Sequence, residues 1–341
     1  MPEMPDQPEI SSTDHFPPVS VVIPTWNGLK LLERFLPSVQ AALEHYPGGG
    51  ELLVVDDGST DRSVAFLRER FPTVRALEQK VNRGFSATVN CGVDEAKHAI
   101  VVLLNNDVGV EVDFIAPLVR HFTDSRVFAV GAKSLDWDGV RFHDGGKLGR
   151  WRRGFWRVWR NYDCLPAAVP PGLELISFYT PGGFAALDRS KWAALGGLDE
   201  LFRPFNWEDT DICYRALKRG WKVLYEPSSV VYHRPNTTIA GGAFRRGYVR
   251  YISRRNRLFF HWKNLTDSRM LAGHVFFLLL SLPAALLRLD FPALGAVFGA
   301  LGSLGAIRER RKVEKAAAVV SDRELRSRFE AFPGGAKVEV R

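Results

Sequence analysis

Cysteine is scarce: three residues in 341, Cys91, Cys164 and Cys213, far apart and without a CxxC pair. That excludes a zinc-finger or disulfide framework and fits a reducing compartment. An acidic excess is also missing. The formal net charge is +8, which suits an anionic partner such as phosphates, nucleic acid or an anionic membrane surface, or simply keeps the protein soluble. The first 18 residues lack an apolar core and are rich in proline and acid, so segment 1–18 reads as a disordered tail and not a signal peptide. No G-x-G-x-x-G follows the first strand; "IPTWNGLKLLERF" stands there instead, which sets aside a dinucleotide-binding dehydrogenase. No internal repeat is visible. What remains is ordinary globular composition, 46% hydrophobic and 25% charged, in a chain long enough for one large domain or two small ones.

Strands and helices alternate through the first part. "VSVVIPTWN" reads as a buried strand, residues 29–46 as an amphipathic helix stopped by "PGGG", and "ELLVVDDGSTD" as a second strand. "VRALEQ" is a weaker strand, "NRGFSATVNCGVDEAK" a helix, and "AIVVLLNND" a third strong strand. Continuous apolar strands of this kind imply a parallel sheet covered on both faces, with ligands at the carboxyl ends of the strands. Three strands end there in polar groups: Thr25 to Asn27, Asp56 with Asp57, and Asn105 to Asp107. One such end is a turn or cap; three on one edge favour a site.

The rhythm is lost between residues 136 and 176. The basic, aromatic "RWRRGFWRVWRNY" fits a hairpin or a loop. Its interleaved rings and arginines suit base stacking, a membrane interface or packing under a loop, and no nucleic-acid partner is expected from it. "SFYTPGGFAALDRSKWAALGGLDE" returns to strand, glycine turn and helix. "FNWEDTDICYRALKRGW" then opens a helix on carboxylates beside aromatic rings. "WKVLYEPSSVVYHRP" reads as two short strands ending at His233.

Taken in order, "VVIPTWNG", "VVDDGSTD", "NRGFSATVN", "LLNND", "TPGGFAALDRSKWAALGGLDE", "NWEDTDICYRALKRGW" and "VVYH" resemble a family 2 glycosyltransferase of GT-A fold. The likeness covers residues 19–265 and lies nearest the rhamnosyltransferase-like enzymes of bacterial cell-surface polysaccharide synthesis. It implies an α/β, Rossmann-like, mostly parallel sheet with helices on both faces. It also implies inverting transfer of a sugar from a nucleotide-diphosphate donor to a glycan or polyprenyl-linked acceptor. By the same resemblance Asp209 is the general base, with Glu208 beside it. Pro24, Thr25, Asn27, Asp57, Arg83, Gly84, Asn105 and Asn106 bind the donor, and Gly182, Gly183, Trp207 and Asp211 face the acceptor. Asp107 and His233 hold Mg²⁺ or Mn²⁺. The "NND" segment departs from the family's DxD motif by offering neutral amides where a carboxylate is usual.

Processive synthases carry QxxRW after this helix; "FRRGYVRYISRRNRLFF" has none, which favours limited addition. A non-catalytic nucleotide-sugar binder is the reading from a different class. Residues 270–287 and 291–307 contain no Asp, Glu, Lys or Arg and are flanked by basic segments. They read as an apolar hairpin, 266–312, associated with the cytoplasmic face of a bacterial inner membrane, with 313–341 as a C-terminal tail.

Overall fold

A computed structural model describes residues 16–233 and 244–332. The expectation for the first 15 residues, and for those after 332, lies outside them. The chain opens with β1 (Val19–Thr25), α1 (Leu29–His45), β2 (Gly50–Asp56), α2 (Ser63–Arg70), β3 (Arg75–Glu78), α3 (Phe85–Glu95) and β4 (Ile100–Leu104). In α1, Leu32, Phe35, Leu36, Val39 and Ala42 recur at helical spacing and form its buried face. The strands are apolar throughout because both faces are covered: in β2, Leu53 and Val55 enter one core, and Leu52 and Val54 the other.

There follow β5 (Val108–Val110), α4 (Ile115–Val119), β6 (Val127–Leu135), β7 (Phe142–Asp144), β8 (Gly146–Arg152), β9 (Phe155–Tyr162), β10 (Phe184–Asp188), α5 (Arg189–Leu195), α6 (Glu208–Lys218) and β11 (Lys222–His233). The nine-stranded sheet runs β3-β2-β1-β4-β10-β6-β11-β5, with β7 added to β6. Its first four strands are parallel, as the sequence implies. The sheet as a whole is mixed, because β10 lies antiparallel to both β4 and β6. The chain reaches β10 from the edge where β4 ends, so it can only run back across the sheet.

The basic aromatic segment is a hairpin, β8 with β9, forming its own two-stranded sheet. Trp156 is fully buried beneath it while Arg157, Val158 and Trp159 face outward. The two short strands expected after α6 are one strand, β11. It keeps its pairing with β6 across an irregularity between Glu226 and Val230, where Pro227 lacks an N–H to donate.

The C-terminal part is helical: α7 (Arg246–Asn264), α8 (Ser268–Leu287), α9 (Phe291–Gly302), α10 (Leu304–Ala317) and α11 (Asp322–Ala331). Helix α8 is long and apolar enough to cross a membrane, with mean hydropathy 2.1 and 11% of its apolar window buried. The second apolar run is divided at Ser303, where α10 turns 68° from α9. The boundary at 312 and 313 falls inside α10. Beyond it, α11 docks on the body of the main sheet and its hairpin through buried Leu325 and Phe329, the latter ring 5.4 Å from Phe178.

Candidate functional site

The carboxyl edge of β1, β2 and β4 is held by short polar contacts. The Thr25 hydroxyl, buried at the end of β1 just after Pro24, accepts from Asn106 Nδ2 at 2.8 Å. A Cβ on Gly28 would lie 2.3 Å from Thr25 Oγ1 and 2.4 Å from Asn106 Nδ2, so α1 begins with a residue that has no side chain. Asn27 has a left-handed backbone, φ 47°; its N–H donates to Ser59 Oγ at 2.7 Å, and its Oδ1 accepts from the Thr60 N–H at 2.8 Å. Asp56 accepts from the Ser59 N–H at 2.8 Å and fixes the turn. Asp57 accepts from the N–H groups of Arg83 at 2.6 Å and Gly84 at 2.9 Å, joining β2 to the entry of α3. Each Asp57 oxygen keeps a second acceptor position.

From β4 the edge continues toward α6. The Asn105 N–H donates to the Gly183 carbonyl at 2.9 Å, and a Cβ on Gly183 would come within 2.4 Å of Asn105 Nδ2. A Cβ on Gly182 would lie 3.5 Å from Asp209 Cβ. Gly183 therefore lets the chain approach Asn105 closely, whereas a Cβ on Gly182 would make only ordinary contact with Asp209. Antiparallel pairing of β11 with β5 sets His233 opposite Val108, next to Asp107. His233 Nε2 is 3.7 Å from Asp107 Oδ1. The other ring nitrogen, Nδ1, is buried without a hydrogen-bond partner among the described residues. The Asp107 carboxylate oxygen is of the kind that suits Mg²⁺ or Mn²⁺, whereas an imidazole nitrogen such as that of His233 is a softer donor. Among the described residues there is no group of three or more His, Cys, Asp or Glu that could hold a metal ion.

Helix α6 begins from a strained entry. Asn206 and Trp207 both have left-handed backbones, φ 72° and 79°, which is costly for residues with side chains. Asn256 of α7 holds them by donating to the carbonyls of Phe205 at 2.9 Å and Asn206 at 3.0 Å. The entry turns Glu208 and Asp209 toward a cleft of about 540 Å³, whose walls include Trp207, Tyr179, Arg157 and Arg257. Burial, and then the Asp209 charge, push the Glu208 carboxyl up to about 8, and its Oε2 has no partner among the described residues. Burial raises Asp209 too, but its charged form is supported by the N–H of Thr210 at 2.6 Å, the Thr210 hydroxyl at 3.2 Å, the Gly182 N–H and the charge of Lys147. Burial pulls Lys147 down to about 7, opposed by the charge of Asp209; its ammonium also pairs with Asp144. Burial thus raises both adjacent carboxyls, and hydrogen-bond donors support the charged form of Asp209.

Asp211 is a correction. It was expected to face the acceptor, yet it is fully buried and bound to Arg215 Nε at 2.7 Å, Lys263 Nζ at 2.8 Å and Asn264 Nδ2 at 2.7 Å. Three i, i+4 or tertiary partners leave it none for a ligand. Phe205 is also turned inward, its ring 5.0 Å from Phe244. Conversely, the cleft is lined by groups that the sequence did not single out, Tyr179, Arg157 and Arg257, and the buried Lys147 acts on Asp209 through its charge. Only the arginine-tryptophan alternation of β9 carried a local signal for any of them.

Residues 20–170 match the family model described as Glycosyl transferase family 2. The N-acetylglucosaminyl-diphospho-decaprenol L-rhamnosyltransferase of Mycobacterium tuberculosis is 27% identical, over 66% of this chain and 78% of that protein. An uncharacterized protein of Sinorhizobium fredii is also 27% identical, over 65% of this chain but only 25% of its own length. Among solved structures, GalNAc-T7 with UDP, GalNAc and Mn²⁺ superposes with a TM-score of 0.56 at 19% identity, covering 74% of this chain and 49% of that one. The chain thus spans a quarter to a half of the length of some of these proteins, and that structure shares the fold.

Proposed function

The chain carries a family 2 glycosyltransferase domain, and on that premise we propose that it transfers a sugar, with inversion, from a nucleotide-diphosphate donor to a lipid-linked or glycan acceptor in cell-surface polysaccharide synthesis. The observation that carries this reading is Asp209 on the wall of a cleft of about 540 Å³, in contact range of Gly182, which precedes the Gly183 carbonyl that Asn105 of the strand edge bonds. A donor bound along Thr25, Asn27, Asp57, Arg83, Gly84, Asn105 and Asn106 presents its anomeric carbon toward Gly182. Asp209 takes the proton of the acceptor hydroxyl as that oxygen attacks from the face opposite the diphosphate. Glu208, still protonated, adds no second negative charge beside the base. Trp207 covers the sugar and excludes water that would hydrolyse the donor. Asp107 and His233 would hold Mg²⁺ or Mn²⁺, which supplies positive charge to the leaving diphosphate.

The catalytic unit is residues 19–265, and α8 with the start of α9 attaches it to the cytoplasmic face of the inner membrane. Phe276, Leu279, Leu280, Leu287 and Phe298 are exposed there, a patch of the kind that marks a lipid or protein contact. The test is release of nucleoside diphosphate from a panel of nucleotide sugars by purified full-length protein. Turnover stops with chelator and returns with Mn²⁺ or Mg²⁺. No release from any donor with either metal would overturn the reading. For the membrane, wild type stays with the pellet at high salt, and Leu279→Gln with Leu280→Gln shifts it to the supernatant.

A further inference from the structure

Among the described residues, two arginines that line the Asp209 cleft, Arg157 and Arg257, form no ion pair with a carboxylate. Arg257 projects from α7 over the ring of Phe155 at 4.4 Å and toward Trp207 at 5.9 Å. One of its N–H groups donates to the Trp156 carbonyl at 3.1 Å, and its Nε is buried without a partner among the described residues. Arg157, exposed on β9, lines the same cleft. Burial, and then the like charge of Arg157, pull the Arg257 guanidinium down to about 10. The neighbouring arginines of α7 are spent otherwise. Arg254 pairs with Asp290 at 2.6 Å, and Arg255 donates to Asn256 Oδ1. Two guanidiniums held together in a half-enclosed space, with donors to spare, form a receptor for a phosphate.

We propose that Arg157 and Arg257 bind the phosphate or diphosphate of an isoprenoid-linked acceptor, with its apolar chain leaving along α8. This rests on the glycosyltransferase reading above. The position separates this site from the donor edge: Asp209 lines both the cleft of Trp207, Arg157 and Arg257 and a second, smaller cavity shared with Gly182 and Phe85. A general base belongs between its two substrates. The route for the tail is also built in. The turn of the β8–β9 hairpin at Gly154 seats against Gly273, His274 and Phe277 of α8, and the Phe155 ring lies 4.6 Å from that of His274. Arg254, at the rim of the cleft, is tied to Asp290 at the start of α9. The phosphate pocket and the exposed apolar face thus share one wall.

The experiment is calorimetric titration of the full-length protein with farnesyl diphosphate, farnesol, and UDP, GDP and dTDP. Wild type binds farnesyl diphosphate, and Arg157→Gln and Arg257→Gln each weaken it by about tenfold or more, as expected for a lost charge-assisted contact. Arg257→Lys recovers part of the loss, and nucleoside diphosphate affinity moves by less than about twofold. Arg157 is exposed, so its variant tests the site without risk to folding. Unchanged farnesyl diphosphate binding in both variants overturns the subsite, as does farnesol binding equally well. If the variants lose nucleoside diphosphate instead, the arginines serve the donor and the acceptor assignment is overturned. A wild type that binds none of the three nucleotides overturns the broader glycosyltransferase reading, a separate outcome.

Discussion

The strand edge and the α6 wall are two sides of one cleft, built by different physics. On the strand edge, polar side chains are satisfied by backbone N–H groups of the same turn or of the next strand's turn: Asp56 by Ser59, Asn27 by Thr60, Asp57 by Arg83 and Gly84. On the α6 wall, charges are buried and paired over long chain distances. Lys263 bridges Asp211 and Asp199, and Arg310 of α10 reaches Asp199 at 2.9 Å. Asp322 of α11 takes Lys218 Nζ at 2.7 Å, the Tyr214 hydroxyl at 2.6 Å and two backbone N–H groups of the α7–α8 turn. The first arrangement presets the geometry of the polar edge from turns. The second locks a strained helix start in place, and removing one buried partner leaves a charge without compensation.

The sharpest way to break this comparison is at the base. Asp209→Asn lowers the transfer rate by about a hundredfold or more, while nucleoside diphosphate binding at the strand edge is nearly unchanged. Turnover close to wild type removes Asp209 from the mechanism. Next is the buried network. Asp322→Ala costs about 3–5 kcal/mol in denaturant unfolding by stranding Lys218, whereas Asp57→Asn at the strand edge costs about 1–3 kcal/mol. Equal losses would erase the distinction between the two walls. For the same reason, a chain ending near residue 265 loses Asp322 and is destabilised, so point changes in α8 are the cleaner membrane test.

A third measurement sharpens the electrostatics. Burial, and then the Asp209 charge, push the Glu208 carboxyl from its ordinary 4.5 up to about 8 in the folded protein. Between those pH values the unfolded chain has released the proton that the folded chain still holds, so stability falls as pH rises from about 4.5 to about 8. Glu208→Gln flattens that slope, with its largest relative gain at the alkaline end. An unchanged unfolding midpoint against pH in the variant would show that Glu208 is ionised when folded. The smallest effect belongs to the surface: Arg326→Ala breaks an exposed pair with Glu330 on α11 and moves stability by no more than ~1 kcal/mol.

The sequence by itself determined the doubly covered sheet and its polar edge. Apolar runs such as "ELLVV" and "IVVLL" require cover on both faces, and the groups that end them bond to neighbours a few residues or one strand away. Local chemistry of that kind can be read along a chain. It also marked Glu208 and Asp209 as unusual, because two carboxylates beside Trp207 are visible without a fold. Only the tertiary structure decided which carboxylates of α6 meet the cleft. Asp209 and Asp211 are two residues apart, hence on different sides of a helix, and the packing of α7 against α6 turned Asp211 to Lys263 and Asn264. It also decided the antiparallel β10 and the single bulged β11, and brought Lys147, Arg157 and Arg257 to the site from segments with no shared spacing. The reason is that buried charges choose partners by proximity in space, and proximity is set by packing that no local pattern encodes.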